Sequence, residues 1–245
     1  MSIKIAVTSG KGGTGKTMFA VNLAALLAMN DSRVLVIDMN AGLRNVDLCL
    51  GLENKVVYDL ADVIRGSCTV RKSMVRDERF SSLYLISTSQ NLEKTVVRSC
   101  DMQRLLDEVS GDFDFVIIDA PPGLGEDWQV AVRYVDWAVV LLTQEFVSVR
   151  DADTADAELK KLGVAKRFAV INQLRSEFFT QAAPSCFPTL SEIADILHMP
   201  VAGGIIEDDN IHLSANSGVP VVCSIDGYIL KNFKRIFTRM QKMAD

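Results

Sequence analysis

Short apolar runs recur along the chain, with longer stretches of helical period between them. Runs at 3–8, 33–38, 82–86, 113–119, 137–142, 168–171 and 201–206 are mostly rich in Val and Ile and lack polar alternation, the pattern of strands buried on both faces of a parallel sheet. Between the first two, residues 17–29 place apolar or small side chains at Phe19, Val21, Leu23, Leu26 and Leu27, which predicts a helix. Others are predicted over 95–109, 147–162 and 190–197. Strand and helix in alternation predict a doubly wound α/β fold, its mostly parallel sheet flanked by helices. No repeat, low-complexity tract or linker interrupts the pattern, so a single domain over 1–245 is expected, with 173–188 as a surface loop.

Composition mainly excludes. No apolar run nears the ~18 residues that span a bilayer, and the N-terminus enters a strand without a charged leader, so a cytoplasmic protein is expected. The 5 cysteines are widely spaced without a C-x-x-C pair, and the chain has 2 histidines; neither a disulfide framework nor a zinc site is expected, and inert thiols are. The net charge of −5 hides an asymmetry. From residue 228 on, Lys231, Lys234, Arg235, Arg239 and Lys242 face one acid, Asp245, so an acidic body carries a basic tail. Such a body is a poor nucleic-acid surface.

The strand at 3–8 runs into Ser9 Gly10 Lys11 Gly12 Gly13 Thr14 Gly15 Lys16 Thr17 and then a helix. This matches G-x-x-x-x-G-K-[ST] in the strand, loop, helix context that the motif needs. Glycines let backbone N–H groups converge on phosphate oxygens, and the helix N-terminus adds positive field. Lys16 is expected to bridge the β- and γ-phosphates and the Thr17 hydroxyl to sit on Mg²⁺. Two carboxylates end predicted strands: Asp38, a candidate indirect partner of Mg²⁺, and Asp119, after four apolar residues in the Walker B manner. Ligands of open α/β sheets bind at such strand ends.

Lys11, directly after the first glycine, is not needed by an ordinary phosphate loop. With it, residues 10–17 resemble the deviant Walker A motif of the MinD/ParA ATPase family. Residues 42–47, Gly51 to Asn54, Val57 to Leu60, Arg76 to Phe80, Leu83 to Leu85 with Gln90, Asp119 to Gly123, Val149 to Asp153 and Gly204 to Asp209 are similar to its division-site branch. The resemblance implies an ATP-dependent dimerisation switch with Mg²⁺, in which Lys11 reaches across a homodimer to the partner's nucleotide. It implies that Asp151 accepts Lys11 when no dimer is present, that Asn172 hydrogen-bonds adenine, and that Asp208 and Asp209 line the base and ribose loop. It also implies a role in placing the division site, with MinC-like and MinE-like partners and ATP hydrolysis to ADP. Gly10, Lys11, Gly12, Gly13, Thr14, Gly15, Lys16, Thr17 and Met18 then form the phosphate cradle, and Lys11, Lys16, Asp38 and Asn40 the catalytic set.

Four departures stand out. Asn40 replaces the family's Asp, which positions or activates the attacking water; an amide cannot accept a proton, so hydrolysis slower by about 10²- to 10⁴-fold is expected if that carboxylate acts as a base. Met18, Gln173 and Glu207 stand where the family usually has Thr, Arg and Pro. An ATP-holding scaffold with little turnover, and a flagellar-number or partition-type relative, are the alternative readings.

On a helix, Ile229, Phe233, Ile236, Phe237, Met240 and Met243 share one face, with Leu230 at its margin and the cations opposite. That pattern fits a helix packed on the sheet and equally one lying on an anionic inner membrane face. Comparison with the family, whose membrane helix follows the last helix of the fold, favours packing.

Overall fold

The computed structural model of the chain describes residues 2–41, 44–88, 96–177, 184, 186–223 and 227–244. Its centre is an eight-stranded sheet in the order β3-β4-β2-β5-β1-β6-β7-β8. The strands are β1 (Ile3–Thr8), β2 (Val34–Asp38), β3 (Val75–Arg76), β4 (Leu83–Ile86), β5 (Phe115–Asp119), β6 (Trp137–Thr143), β7 (Lys166–Leu174) and β8 (Val201–Ile206). All pairings are parallel except β3 with β4. From β1 the chain builds one side of the sheet and later returns beside β1 to build β6 to β8. The crevice at the C-terminal end of β1 is therefore where such a sheet accepts a ligand.

The helices are α1 (Lys16–Ala28), α2 (Val46–Cys49), α3 (Leu60–Ile64), α4 (Val70–Ser73), α5 (Ser99–Val109), α6 (Glu126–Val132), α7 (Phe146–Lys161), α8 (Leu190–Ile196), α9 (Asp209–Asn216) and α10 (Tyr228–Ala244). Two apolar layers cover the sheet. One holds α1 and α10, where Phe19 stacks on Phe233 at 5.3 Å between ring centroids; the other holds α5, α6, α7 and α8. Burial of α1 on nearly every side explains why its sequence is apolar all round rather than striped.

The long elements fall where the apolar pattern puts them, with shifted ends. β5 begins at Phe115, β7 runs to Leu174 and so takes the first residues assigned to a loop, and α5 begins at Ser99, where Asp101 bonds back to Arg98. Residue 95, Gly42, Leu43, Gln90, Asp245 and most of 177–185 lie outside the described residues. Helix α10 is packed: Ile229, Phe233, Ile236 and Met240 are buried, while Met243, assigned to the same face, is 46% exposed in the last turn. The five cations of α10 point outward. Against the edge strand β8, Asn232 Nδ2 donates to the Gly204 carbonyl at 2.6 Å, and a Cβ on Gly203 would stand 2.8 Å from Ile236 Cγ1.

Candidate functional site

The loop between β1 and α1 is shaped by its glycines. Gly13 and Gly15 have φ of +78° and +86°, a region costly for any residue with a Cβ. At Gly15 a Cβ would also stand 2.2 Å from Asn172 Nδ2. Asn172, at the end of β7, donates instead to the Thr14 carbonyl at 2.9 Å, and Gln173 to the Gly13 carbonyl at 3.2 Å. The carboxamide expected to meet adenine thus braces the loop from outside. Gly10 lies against α7, where a Cβ would meet Asp151 within 2.7 Å.

Lys16 opens α1 and is only 6% exposed. Its Nζ donates to Ser9 Oγ at 3.0 Å, and it forms no ion pair within 4.0 Å with a carboxylate of the described residues. Burial pushes its ammonium below the ordinary value, with the Asp119 charge partly opposing. A buried cation held by a neutral hydroxyl is costly until an anion arrives.

Asp38 and Asp119 are paired in register on β2 and β5 and fully buried. Asp38 Oδ1 accepts from the Asn40 N–H at 2.8 Å and Oδ2 from the Val46 N–H at 3.4 Å. Burial, then the charge of Asp119, raises the Asp38 carboxyl; burial raises Asp119 against the Thr17 hydrogen bond and Lys16. Thr17 Oγ1 donates to Asp119 Oδ2 at 2.6 Å, whereas Asp119 Oδ1 and Thr14 Oγ1 are buried without a partner. Two orphaned oxygens at a pair of carboxyls that lack an ion-pair partner among the described residues are a fit for Mg²⁺.

A cleft of about 440 Å³ opens over the loop, lined by Gly12, Gly13, Gly15, Lys16, Thr17 and Met18 and faced by Asn40. Asn45, Leu48 and Cys49 close one side and Ala215 and Asn216 of α9 another; the Cys49 thiol is pushed up to about 11 by burial. Asp208 and Asp209 stand at the start of that helix, where Asp208 caps it through the Asn210 N–H at 2.7 Å and accepts from Tyr228.

Lys11 corrects one expectation. Its Nζ pairs with Glu145 Oε2 at 2.5 Å, not with Asp151. Glu145 stands between β6 and α7, so it reaches the loop across the sheet end without any sequence spacing to betray it. Ser9, Asn45, Leu48, Cys49, Ala215 and Asn216 were also missed as lining or supporting groups. Ser9 carried a signal in its place at the loop entrance, and Asn45 in the stretch 42–47.

The family described as AAA domain matches residues 2–164. The septum site-determining protein MinD of Synechocystis sp. is 37% identical over 94% of this chain and 87% of its own length. The MinC:MinD cell division protein complex of Aquifex aeolicus superposes with a TM-score of 0.89 at 31% identity, covering 98% of this chain and 96% of that one. The fold is shared with the MinD of Pyrococcus horikoshii, solved with Mg-ADP (TM-score 0.87, 24% identity, 100% of this chain and 98% of that one). The glycine loop, the carboxylate pair and these likenesses agree: the chain belongs to the MinD branch of the MinD/ParA ATPase family.

Proposed function

We propose that the chain is an ATP-operated dimerisation switch that helps to place the division site. The observation that carries this reading is Lys16: a nearly buried ammonium, unpaired with any carboxylate of the described residues, at the floor of a glycine-lined cleft. Lys16 and the amides of 12–17 would hold the β- and γ-phosphates. Thr17 and Asp119, with Asp38 behind them, would hold Mg²⁺, which when bound neutralises phosphate charge and aligns the oxygens. Asn172, Asp208 and Asp209 would meet the base and ribose as the loop adjusts around them. Lys11 would leave Glu145 for the phosphates of a second copy, with Asp151 next to the vacated position.

A switch of this kind works because the γ-phosphate favours the closed pair differentially. Hydrolysis to ADP and phosphate would reopen it. Partners similar to MinC and MinE would read the ATP state from the cytoplasm or at the inner membrane face; no helix among the described residues is long and apolar enough to cross a membrane. Light scattering tests the reading: the mass is expected to double in ATP with Mg²⁺ and to stay monomeric in ADP. A persistent monomer under saturating ATP overturns it.

Asn40 favours slow turnover. Its backbone N–H is held by Asp38 while the residue lines the cleft, and a side-chain carboxamide there can orient a water but not deprotonate it. Asn40→Asp is expected to raise the hydrolysis rate by about 10²- to 10⁴-fold. An unchanged rate at the level of other family members would show that the amide limits nothing.

A further inference from the structure

Two walls of the cleft end against each other. Helix α2, which contributes Leu48 and Cys49, gives way to Leu50 and Gly51; helix α9, which contributes Ala215 and Asn216, gives way to Ser217 and Gly218. Both glycines have positive φ, +62° and +66°. They touch so closely that a Cβ on Gly218 would stand 2.7 Å from Gly51 Cα. Arg79, in the turn between β3 and β4, lies in this junction. Its Nη1 donates to the Gly218 carbonyl at 2.8 Å and its Nη2 to the Leu50 carbonyl at 2.5 Å. The rest of the fork grips buried Asp77, Nε to Oδ1 at 2.9 Å and Nη2 to Oδ2 at 2.6 Å.

The chemistry suits a guanidinium alone. Carbonyls at helix C-termini carry partial negative charge, and a planar fork can take two of them and a carboxylate together, which the single ammonium of a shorter lysine side chain does not. The two clamped segments have different origins. The α2 wall carries Asn45 and lines the cleft together with Asn40, on the side of the phosphate loop; the α9 wall continues from Asp208 and Asp209. One side chain therefore fixes the phosphate side of the cleft to its other wall.

We propose that Arg79 is a positioning residue for nucleotide, setting the width of the cleft by clamping the ends of α2 and α9. This rests on the nucleotide-binding reading above. Among the described residues, the hydrogen bonds of Arg79 go to none of the residues that line the cleft, so its loss should appear in affinity and not in the chemical step.

Calorimetry with Mg-ADP and steady-state ATP hydrolysis test this on the full chain. Arg79→Lys keeps a cation against Asp77 and is expected to weaken Mg-ADP by about 10- to 100-fold, as misplacement of binding groups does, with KM for ATP rising in step. Its kcat should stay within about twofold of the native value, and its melting temperature without nucleotide close to native. Millimolar guanidinium should restore much of the affinity of Arg79→Ala. Native affinity in folded Arg79→Lys overturns the proposal, and so does a loss that only tracks the unfolded fraction in both variants with no guanidinium rescue. If the native protein takes up no nucleotide, the function itself falls and this inference with it; if it binds and both variants bind equally well, only this inference falls.

Discussion

The two ends of the glycine loop hold the same side chain in opposite ways. At the helix end Lys16 is buried, kept from water and given only the Ser9 hydroxyl. At the strand end Lys11 is partly exposed and already paired with the Glu145 carboxylate. The first arrangement withholds an anion from a charge that needs one, so an incoming phosphate gains what the fold leaves unmet. The second satisfies the charge with an interaction that water and salt make cheap to break. One lysine is held without a counter-charge, the other with one that exchanges readily for water.

Substitution should separate the two ends sharply. The largest effect is expected at the buried end: Lys16→Met should abolish nucleotide uptake in calorimetry while raising the melting temperature of the nucleotide-free protein, because a buried, poorly compensated charge is removed. A fall in melting temperature would mean that Lys16 stabilises the empty fold and that the contrast is wrong. Lys11→Ala should leave the affinity of the monomer for ADP within about threefold, since an exposed pair contributes little, but should eliminate the ATP-dependent dimer in light scattering. The smallest effect belongs to the tether. Glu145→Gln should lower the ATP concentration needed for dimerisation by up to about fivefold, the equivalent of an exposed ion pair.

The sign of the pH dependence follows from the same pair. The Lys11 hydrogen bond holds the Glu145 carboxyl below its ordinary value, so the tether is present above that ordinary value and is lost only as the pH falls through the lowered one. The difference between native protein and Glu145→Gln should accordingly stay constant near neutrality and vanish in acid.

How much of this was legible in the chain depends on locality. The phosphate loop was readable because its chemistry demands glycines, Lys16 and Thr17 in one continuous stretch, flanked by a strand and a helix. The interior strands were readable because burial on both faces leaves Val and Ile runs such as 201–206, whose bounds match β8. Helices α2, α3 and α4 have four or five residues each, too few for a period of 3.6 to emerge. The roles of Glu145, Arg79, Ala215 and Asn216 were invisible for another reason. They meet the site across the sheet ends, and no spacing in the sequence encodes that meeting. Asp151 illustrates the converse: resemblance put it near the loop, and it lies against Gly10, but the side chain that takes Lys11 is Glu145, just before α7 begins.

Helix α10 has a consequence beyond packing. By occupying the Gly204 carbonyl and pressing Ile236 onto Gly203, it denies a stranger's strand the free border along which sheets grow, while the other border is the two-residue β3, too short to template anything. Copies that meet are thereby kept from joining border to border, the contact through which sheets run on into fibres.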